Sequence, residues 1–372
     1  MQIESIELFH VALPLRRPMS TAGRELDALE TVLVRMQSGD AAGWGEASPG
    51  NVPTASAEWA AGVFGCLRDW LAPAVVSGTI DSGDDLAKRL DAFRGNRFAK
   101  AALDTAWWDL KARREGRPLY ELLGGDRPAI ELGVTFDQME STEEFLAAIG
   151  QVLDAGFSRV TLMFRPGWEV EMVDAVRKEF PVAMLQIDAE GAMGLQHMDT
   201  IHRLEDFALA AIEQPFPADD LVGHAMAQQS LRTPICLDEG VTTIAQAEMA
   251  LDLQSCRMVN IEPGKVGGLT PAVAIHDACR AAEVPCYVGA VPQTAVGQRI
   301  ALALAAKSNC PLPADYLPCE ELLAEDLAER LLPKRGETDG IMRIGLWSEP
   351  GLGVDPDRQL LDKLCLDRAK VQ

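Results

Sequence analysis

The sequence predicts an α/β protein in which a closed barrel of parallel strands follows a smaller α+β domain. Beyond about residue 125, short apolar runs alternate with helical patterns, as in consecutive strand–helix units. Four acids, Asp188, Glu213, Asp238 and Glu262, each end an apolar run, at intervals of 25, 25 and 24 residues. One strand–helix unit has about this length, so the acids should stand at the same height on successive strands.

The first 125 residues show a different order of patterns. Ile3–Val11 and Thr31–Met36 have strand character, and Gly43–Glu46 follows a polar turn. A helix is predicted next, because apolar side chains recur at helical spacing: Leu103, Ala106, Trp107 and Leu110. Gly116 and Pro118 predict its end. We therefore assign residues 1–125 to an N-terminal α+β domain.

The barrel segment contains seven predicted strands: Glu131–Phe136, Ser158–Phe164, Ala183–Asp188, Ala208–Glu213, Ile235–Asp238, Met258–Glu262 and Pro285–Gly289. Two of the intervening helices have start signals. The run from Ser141 to Glu144 is a capping box, and Thr270 before Pro271 predicts a cap followed by a proline at the first helical position. In a parallel barrel the strand ends converge at one mouth, where active sites are built.

Composition excludes several classes of function. The 372 residues include 56 acids and 34 bases, for a net charge of −22, which disfavours binding to nucleic acid or anionic membranes. No stretch approaches the roughly 20 apolar residues that cross a bilayer, and the N-terminus reads as a strand rather than a signal peptide. Eight cysteines are scattered without a CxxC pair. This pattern disfavours a zinc cage and predicts a reducing cytoplasm.

The converging acids predict a metal site. Carboxylates crowded at one mouth repel one another and raise each other's pKa unless a cation relieves the repulsion. Oxygen ligands suit Mg²⁺ or Mn²⁺ better than zinc. The alternative, that a single acid at a strand end is only a solvated loop residue, applies less well to three acids at matching positions.

The segments around these acids resemble the enolase superfamily, in its mandelate racemase/muconate-lactonizing branch. The nearest likeness is to o-succinylbenzoate synthases and N-acylamino-acid racemases. It is carried by Ile212–Pro215, Thr233–Glu239 and Asn260–Gly268 in the barrel, and by Trp44–Glu46, Ala101–Lys111 and Gly116–Leu119 before it. These linked motifs extend from the first strand to about Asp355.

The resemblance implies a modified (β/α)₇β TIM-type barrel over residues 126–325, an N-terminal α+β capping domain, and a C-terminal segment, 326–372, that returns to the cap. It also implies a Mg²⁺ (or Mn²⁺) site formed by Asp188, Glu213 and Asp238. In relatives this metal stabilises the enolate formed when a lysine removes the proton next to a carboxylate. A small-molecule carboxylate substrate or ligand and a homo-oligomer are expected on the same grounds.

The chain departs from the family at the catalytic lysines. Relatives carry Lys-x-Lys on the second barrel strand and another lysine before Pro-Gly on the sixth; here these positions hold Thr161, Met163 and Glu262. Thr161 and Met163 cannot act as bases near neutral pH. Glu190 stands where relatives have asparagine, and Gln293 where an acid is expected. The usual activity is therefore predicted to be lost or changed.

Five residues are candidates for what chemistry remains. Glu262 and Lys265 form the candidate acid/base pair, since a partly desolvated glutamate can act as a base. Lys265 is also predicted to form an ion pair with Glu262 or Glu190. Arg24, Arg165 and Gln293 are candidate substrate-binding residues, although Arg165 and Lys265 can also be read as solvated loop charges. Three functions stay open: a divergent protein without family activity, an o-succinylbenzoate synthase or N-acylamino-acid racemase with substitute groups, and a non-catalytic ligand-binding barrel.

Overall fold

A four-stranded antiparallel sheet begins the fold. The computed structural model describes residues 1–21, 24–76, 78–137, 139–164 and 169–372. The sheet contains β1 (Ser5–Thr21), β2 (Arg24–Ser38), β3 (Ala41–Ala47) and the C-terminal strand β14 (Cys365–Val371), in the order β14-β1-β2-β3. The chain therefore ends in the same sheet in which it begins.

Helices pack against this sheet, and one of them lies very close to it. They are α1 (Ala60–Cys66), which continues through a π-helical turn (Leu67–Leu71) into α2 (Ala72–Val75), then α3 (Gly83–Leu90), α4 (Arg97–Glu115) and α5 (Leu119–Leu122). A Cβ atom at Gly45 would lie 2.1 Å from the backbone oxygen of Ala102. Glycine in the Trp-Gly-Glu motif thus permits the close approach of β3 to α4.

Eight parallel strands form the barrel, which confirms the predicted fold class. They are β4 (Ala129–Phe136), β5 (Arg159–Met163), β6 (Met184–Asp188), β7 (Ala211–Glu213), β8 (Ile235–Leu237), β9 (Met258–Asn260), β10 (Cys286–Tyr287) and β11 (Ala314–Asp315). β11 pairs with β4, and its Asp315 amide donates to the Val288 oxygen at 2.9 Å. These two contacts close the barrel between its last and first strands.

Helices surround the barrel: α6 (Thr142–Ala155), α7 (Glu169–Glu179), α8 (Met198–Leu204), α9 (Leu221–Ser230), α10 (Ile244–Asp252), α11 (Pro263–Val266), α12 (Leu269–Ala281) and α13 (Ala295–Ala305). Two 3₁₀ turns flank α8, Leu195–His197 and Glu205–Phe207. The C-terminal segment adds α14 (Cys319–Leu322), β12 (Lys334–Arg335), β13 (Met342–Gly345) and α15 (Arg358–Leu364). Among the described residues, no helix is both long and apolar enough to cross a membrane.

The two predicted helix starts have different outcomes. The Ser141 side chain accepts the Glu144 amide at 3.1 Å, so it caps α6 as predicted. The predicted cap at Thr270 is wrong, because α12 begins at Leu269 and Gly268 holds the cap position. The hydroxyl of Thr270 instead donates to Asp104 of α4 at 2.5 Å.

Buried carboxylates join the N-terminal sheet and its helices to the barrel. Glu46 of β3 accepts the amides of Thr294 and Gly297 at the start of α13, at 3.0 and 2.7 Å. Asp109 of α4 accepts the amides of Trp44 and Leu352 at 2.7 and 2.6 Å. Each carboxylate thus connects segments that are distant in sequence. The domain boundaries at 125 and 325 stay predictions.

The Asp104 contact leads to a prediction about pH. Burial raises the pKa of Asp104 to about 7, even though Thr270 donates two hydrogen bonds to the carboxylate. The folded protein therefore holds this proton more tightly than the unfolded chain. Protonated Asp104 makes its full contribution to the free energy of unfolding below about pH 4, the pKa of the unfolded chain. This contribution is lost as the pH rises through about 7.

We expect Asp104→Asn to remove this pH dependence. Between pH 4 and pH 8 the variant should lose less unfolding free energy than the unmodified protein, by roughly 2–4 kcal/mol, since one pKa unit corresponds to about 1.4 kcal/mol. Urea unfolding at several pH values measures the difference. Asp85→Asn, at a half-buried position of α3, serves as the control. Parallel pH profiles for the Asp104 variant and the unmodified protein would contradict the prediction.

Candidate functional site

The largest cavity at the barrel mouth has a volume of about 550 Å³ and lies at the carboxyl ends of the parallel strands. Seven carboxylates line it: Asp188, Glu190, Glu213, Asp238, Glu239, Glu262 and Asp315. Among the described lining residues, Lys265 is the one cationic side chain. The cavity is therefore strongly anionic, a setting that favours cations and opposes a free carboxylate.

Strand register places two of the predicted metal ligands side by side. Asp188 at the end of β6 pairs in register with Glu213 at the end of β7. Asp238 follows directly after β8. Burial raises the pKa of Asp188 well above its ordinary value, and the charges of Glu213 and Asp238 add to the effect. The three acids thus share one electrostatic environment, as their spacing predicted.

The Glu213 carboxylate is held by three neutral donors. Asn260 Nδ2 donates to Oε1 at 2.8 Å, while Gln186 Nε2 and Tyr287 Oη donate to Oε2 at 2.6 and 2.5 Å. These partners come from β9, β6 and β10, and all lie inside the barrel. These hydrogen bonds orient the carboxylate, and both of its oxygens serve as acceptors.

A buried arginine lies beneath this network. The Arg159 guanidinium donates to Thr161 Oγ1 at 2.9 Å, to Gln186 Oε1 at 3.1 Å and to the Asp315 carboxylate. It also stacks over the Tyr287 ring, 4.4 Å from the centroid. Gln186 therefore bridges the guanidinium and the Glu213 carboxylate, which links the positive centre of the barrel to its acidic mouth.

The loop after β8 is fixed by Gln214. Its Oε1 accepts the amides of Asp238 and Gly240, both at 3.0 Å, and its Nε2 donates to the Phe216 oxygen at 2.9 Å. Gln214 has a positive φ of 37°, a conformation that non-glycine residues rarely adopt. The Glu-Gln-Pro motif thus supplies one acid at the mouth and positions the backbone of another.

Lys265 pairs with acids other than those predicted. Its Nζ lies 2.5 Å from Asp238 Oδ2 and 3.2 Å from Glu239 Oε1, rather than on Glu262 or Glu190. Burial lowers the pKa of Lys265, but the charges of Asp238, Glu239 and Glu262 outweigh it and raise that pKa well above its usual value. The expected ion pair is wrong because the α11 turn directs the side chain across the mouth toward the β8 loop.

Thr161, Met163 and Glu262, the positions predicted to match the family lysines, all line the cavity. Thr161 is buried and accepts the Arg159 hydrogen bond, and Met163 adds an apolar wall. Glu262 caps α11: Oε1 accepts the Gly264 amide and Oε2 the Lys265 amide, both at 2.9 Å. Burial raises the pKa of Glu262, while Lys265 and these two amides lower it. Its carboxylate therefore has a structural role in the described conformation.

Of the three predicted substrate-binding residues, only the side chain of Gln293 is among those that the structure describes. Gln293 lines two smaller neighbouring cavities rather than the largest one. Arg165 lies outside the described residues, as do Ala22 and Gly23, which precede Arg24. The backbone of Arg24 begins β2, and its side chain lies outside the described part of the chain.

The acids fit a divalent cation in donor chemistry and charge, but not in their described positions. Among the described residues, no group of three His, Cys, Asp or Glu side chains is arranged to hold one ion. Lys265 pairs with Asp238, and both Glu213 oxygens already accept hydrogen bonds. A cation on the Asp238 oxygen that Lys265 contacts would need this ammonium to move.

Several site residues have no sequence signal that singles them out. Gln186 and Tyr287 stand within apolar strand runs, where they read as ordinary barrel positions. Asn260 and Gln214 stand out in the sequence only as parts of the motifs Asn260–Gly268 and Ile212–Pro215. The inward direction of alternate strand residues could have identified Gln186, since it is two positions before Asp188 and faces the same side.

Comparisons with known proteins agree with this geometry. Residues 3–124 match the mandelate racemase / muconate lactonizing enzyme N-terminal domain, and residues 144–360 match the enolase C-terminal domain-like family. The chain is 36% identical to an o-succinylbenzoate synthase of Geobacillus stearothermophilus, over 97% of this chain and 95% of that one. It is 34% identical to an N-succinylamino acid racemase of an Amycolatopsis species, over 98% of each.

A solved structure resembles the whole chain. It is a crystal structure of an unknown member of the enolase superfamily from Enterococcus faecalis, with 30% identity and a TM-score of 0.93, and each chain is covered completely. The similarity therefore includes the N-terminal sheet, the barrel and the C-terminal segment.

Proposed function

Because the chain belongs to the mandelate racemase / muconate lactonizing enzyme family of the enolase superfamily, we propose that it is a divergent member that binds a divalent cation at the barrel mouth but lacks lysine-dependent proton abstraction. The observation that carries the proposal is the presence of Thr161, Met163 and Glu262 around the acidic cavity. A proton next to a carboxylate is too weakly acidic for water to remove, so the reaction requires a positioned base of matched pKa.

The remaining titratable groups at these positions are already engaged. Both Glu262 oxygens accept backbone amides, and the Lys265 ammonium contacts two carboxylates. A base must have a free lone pair within reach of the substrate proton. The Lys265 ammonium has none, and each Glu262 oxygen is already held by a backbone amide of α11, which supports loss or change of the family chemistry.

Members of the superfamily generally use Mg²⁺. Here Asp188, Glu213 and Asp238 are the proposed ligands, because oxygen donors from adjacent strand ends suit a small hard cation. Bound there, the cation would supply Lewis-acid stabilisation to a ligand oxygen. The residues themselves orient the acids: Gln214 holds the Asp238 backbone, and Gln186, Asn260 and Tyr287 hold Glu213.

The second candidate is the reaction named for the relatives, o-succinylbenzoate synthesis or N-succinylamino acid racemisation. Identity of 34–36% over nearly the whole chain favours it. It requires substitute acid/base groups, for which Glu262 and Lys265 are the candidates. A third candidate, a non-catalytic ligand-binding barrel, is favoured by the engagement of both groups in structural contacts.

The deciding experiment measures exchange of the α-proton in D₂O with added Mg²⁺ or Mn²⁺. We expect N-succinylamino acids to gain no deuterium beyond the uncatalysed level, and a precursor of o-succinylbenzoate to remain unconverted. The Amycolatopsis racemase, assayed in parallel, is the positive control. Metal-dependent exchange at the rate of that control would overturn the proposal.

The same assay separates the alternatives. If turnover occurs, Glu262→Gln and Lys265→Ala should abolish it, and unchanged rates in both variants would remove these residues from the mechanism. If no turnover occurs, calorimetry with a panel of small carboxylates distinguishes a binding barrel, which gives heat without conversion. The oligomeric state and the cytoplasmic location stay predictions.

A further inference from the structure

We infer that Lys265 is a built-in competitor of the divalent cation: its ammonium occupies the Asp238 carboxylate and must leave before the metal can bind there. The inference rests on the proposed function, since it takes Asp188, Glu213 and Asp238 as the metal ligands. It adds that cation binding and the position of Lys265 exclude one another.

The contact distances support direct competition. The Lys265 Nζ lies 2.5 Å from Asp238 Oδ2, so no ion of ordinary size fits between the two atoms. Magnesium ligands lie about 2.1 Å from the ion, and a metal that approached that oxygen from the same side would overlap the ammonium. A second carboxylate, Glu239, holds the same ammonium at 3.2 Å. The ammonium thus supplies the positive charge that the ion would supply.

The local backbone holds Lys265 in this position. Its amide donates to Glu262 Oε2, so the carboxylate at the family lysine position anchors the start of α11. Gln214 fixes the opposite side, because its Oε1 accepts the Asp238 amide. The ammonium and its acceptor are therefore placed by two separate anchors. Lysine at 265 and glutamate at 262 work together in this arrangement.

A second cavity gives the displaced side chain room to move. It has a volume of about 200 Å³ and lies between the barrel mouth and the N-terminal domain. Lys265 lines both this cavity and the large anionic one. Hydroxyl-bearing Ser48 and Ser56 also line it. Movement of the lysine would carry its positive charge away from the acids when a divalent cation replaces it.

The first test measures the reactivity of the Lys265 amine in the unmodified protein. An acylating reagent is applied with and without saturating Mn²⁺, and modification of each lysine is read by peptide mass spectrometry. We expect labelling of Lys265 to rise severalfold with Mn²⁺. Lys178 is the internal control, because it is exposed on α7 and distant in sequence from the site. Its labelling should not change.

The second test compares Mn²⁺ affinity by electron paramagnetic resonance titration of the unmodified protein and Lys265→Met. We expect the variant to bind Mn²⁺ at least about tenfold more tightly, because a charge a few ångströms from the site is removed. Equal or weaker binding would overturn the inference. The labelling test does not depend on the variant, so it remains decisive if Lys265→Met impairs folding.

The outcomes separate this inference from the proposed function. If Mn²⁺ binds and labelling of Lys265 stays constant, the metal site stands and the competition is wrong. If neither protein binds Mn²⁺, the result contradicts the proposed metal site and, with it, the inferred competition by Lys265. A rise in Lys265 labelling that Mn²⁺ causes in the unmodified protein supports both.

Discussion

Replacing Arg159 by methionine is expected to lower the free energy of unfolding by about 3–5 kcal/mol, the usual effect of removing one partner of a buried ion pair. The side chain is fully buried, and its guanidinium donates to Asp315, Thr161, Gln186 and a backbone oxygen. Methionine fills a similar volume but leaves the Asp315 carboxylate without its cation. The loss is therefore electrostatic rather than a loss of packing.

Chemical denaturation measures this effect, and Arg257→Met is the matched control. Arg257 precedes β9 as Arg159 begins β5, but it is exposed and donates only to backbone oxygens at 3.3 Å. Its replacement should cost less than about 1 kcal/mol. Adding Asp315→Asn to the Arg159 variant should recover part of the loss, because the uncompensated charge disappears. Equal losses in the two arginine variants would contradict the assignment.

Asp188→Asn is expected to weaken Mn²⁺ binding by at least about 100-fold, since even partners of metal ligands change affinity by 10–100-fold. Asp188 stands in register with Glu213, and burial together with the charge of Glu213 raises its pKa. An amide at this position removes both a ligand oxygen and a negative charge. Titration followed by electron paramagnetic resonance gives the affinity directly.

Glu190→Gln is the matched control for this change. Glu190 lines the same cavity two residues further along and is exposed. Its neutralisation also removes one negative charge from the mouth, but no proposed ligand. We expect it to weaken Mn²⁺ binding by less than about tenfold. Similar losses in the two variants would mean that general attraction, rather than coordination by Asp188, holds the ion.

The fold and the positions of the acids could be predicted from local patterns. Strand and helix periodicity depend on neighbouring residues, and the spacing of Asp188, Glu213 and Asp238 reflects the length of one strand–helix unit. The Thr270 cap was predicted wrongly from equally local evidence. The helix begins two residues earlier than predicted, and Asp104, far away in the sequence, accepts the threonine hydroxyl.

The predicted replacement of the family lysines also rests on the sequence alone, since the identities of Thr161, Met163 and Glu262 need no coordinates. The contacts that these side chains make cannot be read from residue identity. That Thr161 serves Arg159 and that Glu262 caps α11 follow from hydrogen bonds of particular side-chain rotamers. A residue list distinguishes a missing base from a present one, but it does not say what the substitute contacts.

The sequence by itself thus determined the barrel and the acids at its mouth, because each depends on residue identity and regular spacing. Only the tertiary structure decided which groups meet. Glu213 takes donors from β6, β9 and β10, and Lys265 crosses to Asp238 instead of Glu262 or Glu190. These contacts depend on strand register and side-chain direction across the closed barrel, where partners distant in sequence come within hydrogen-bond distance.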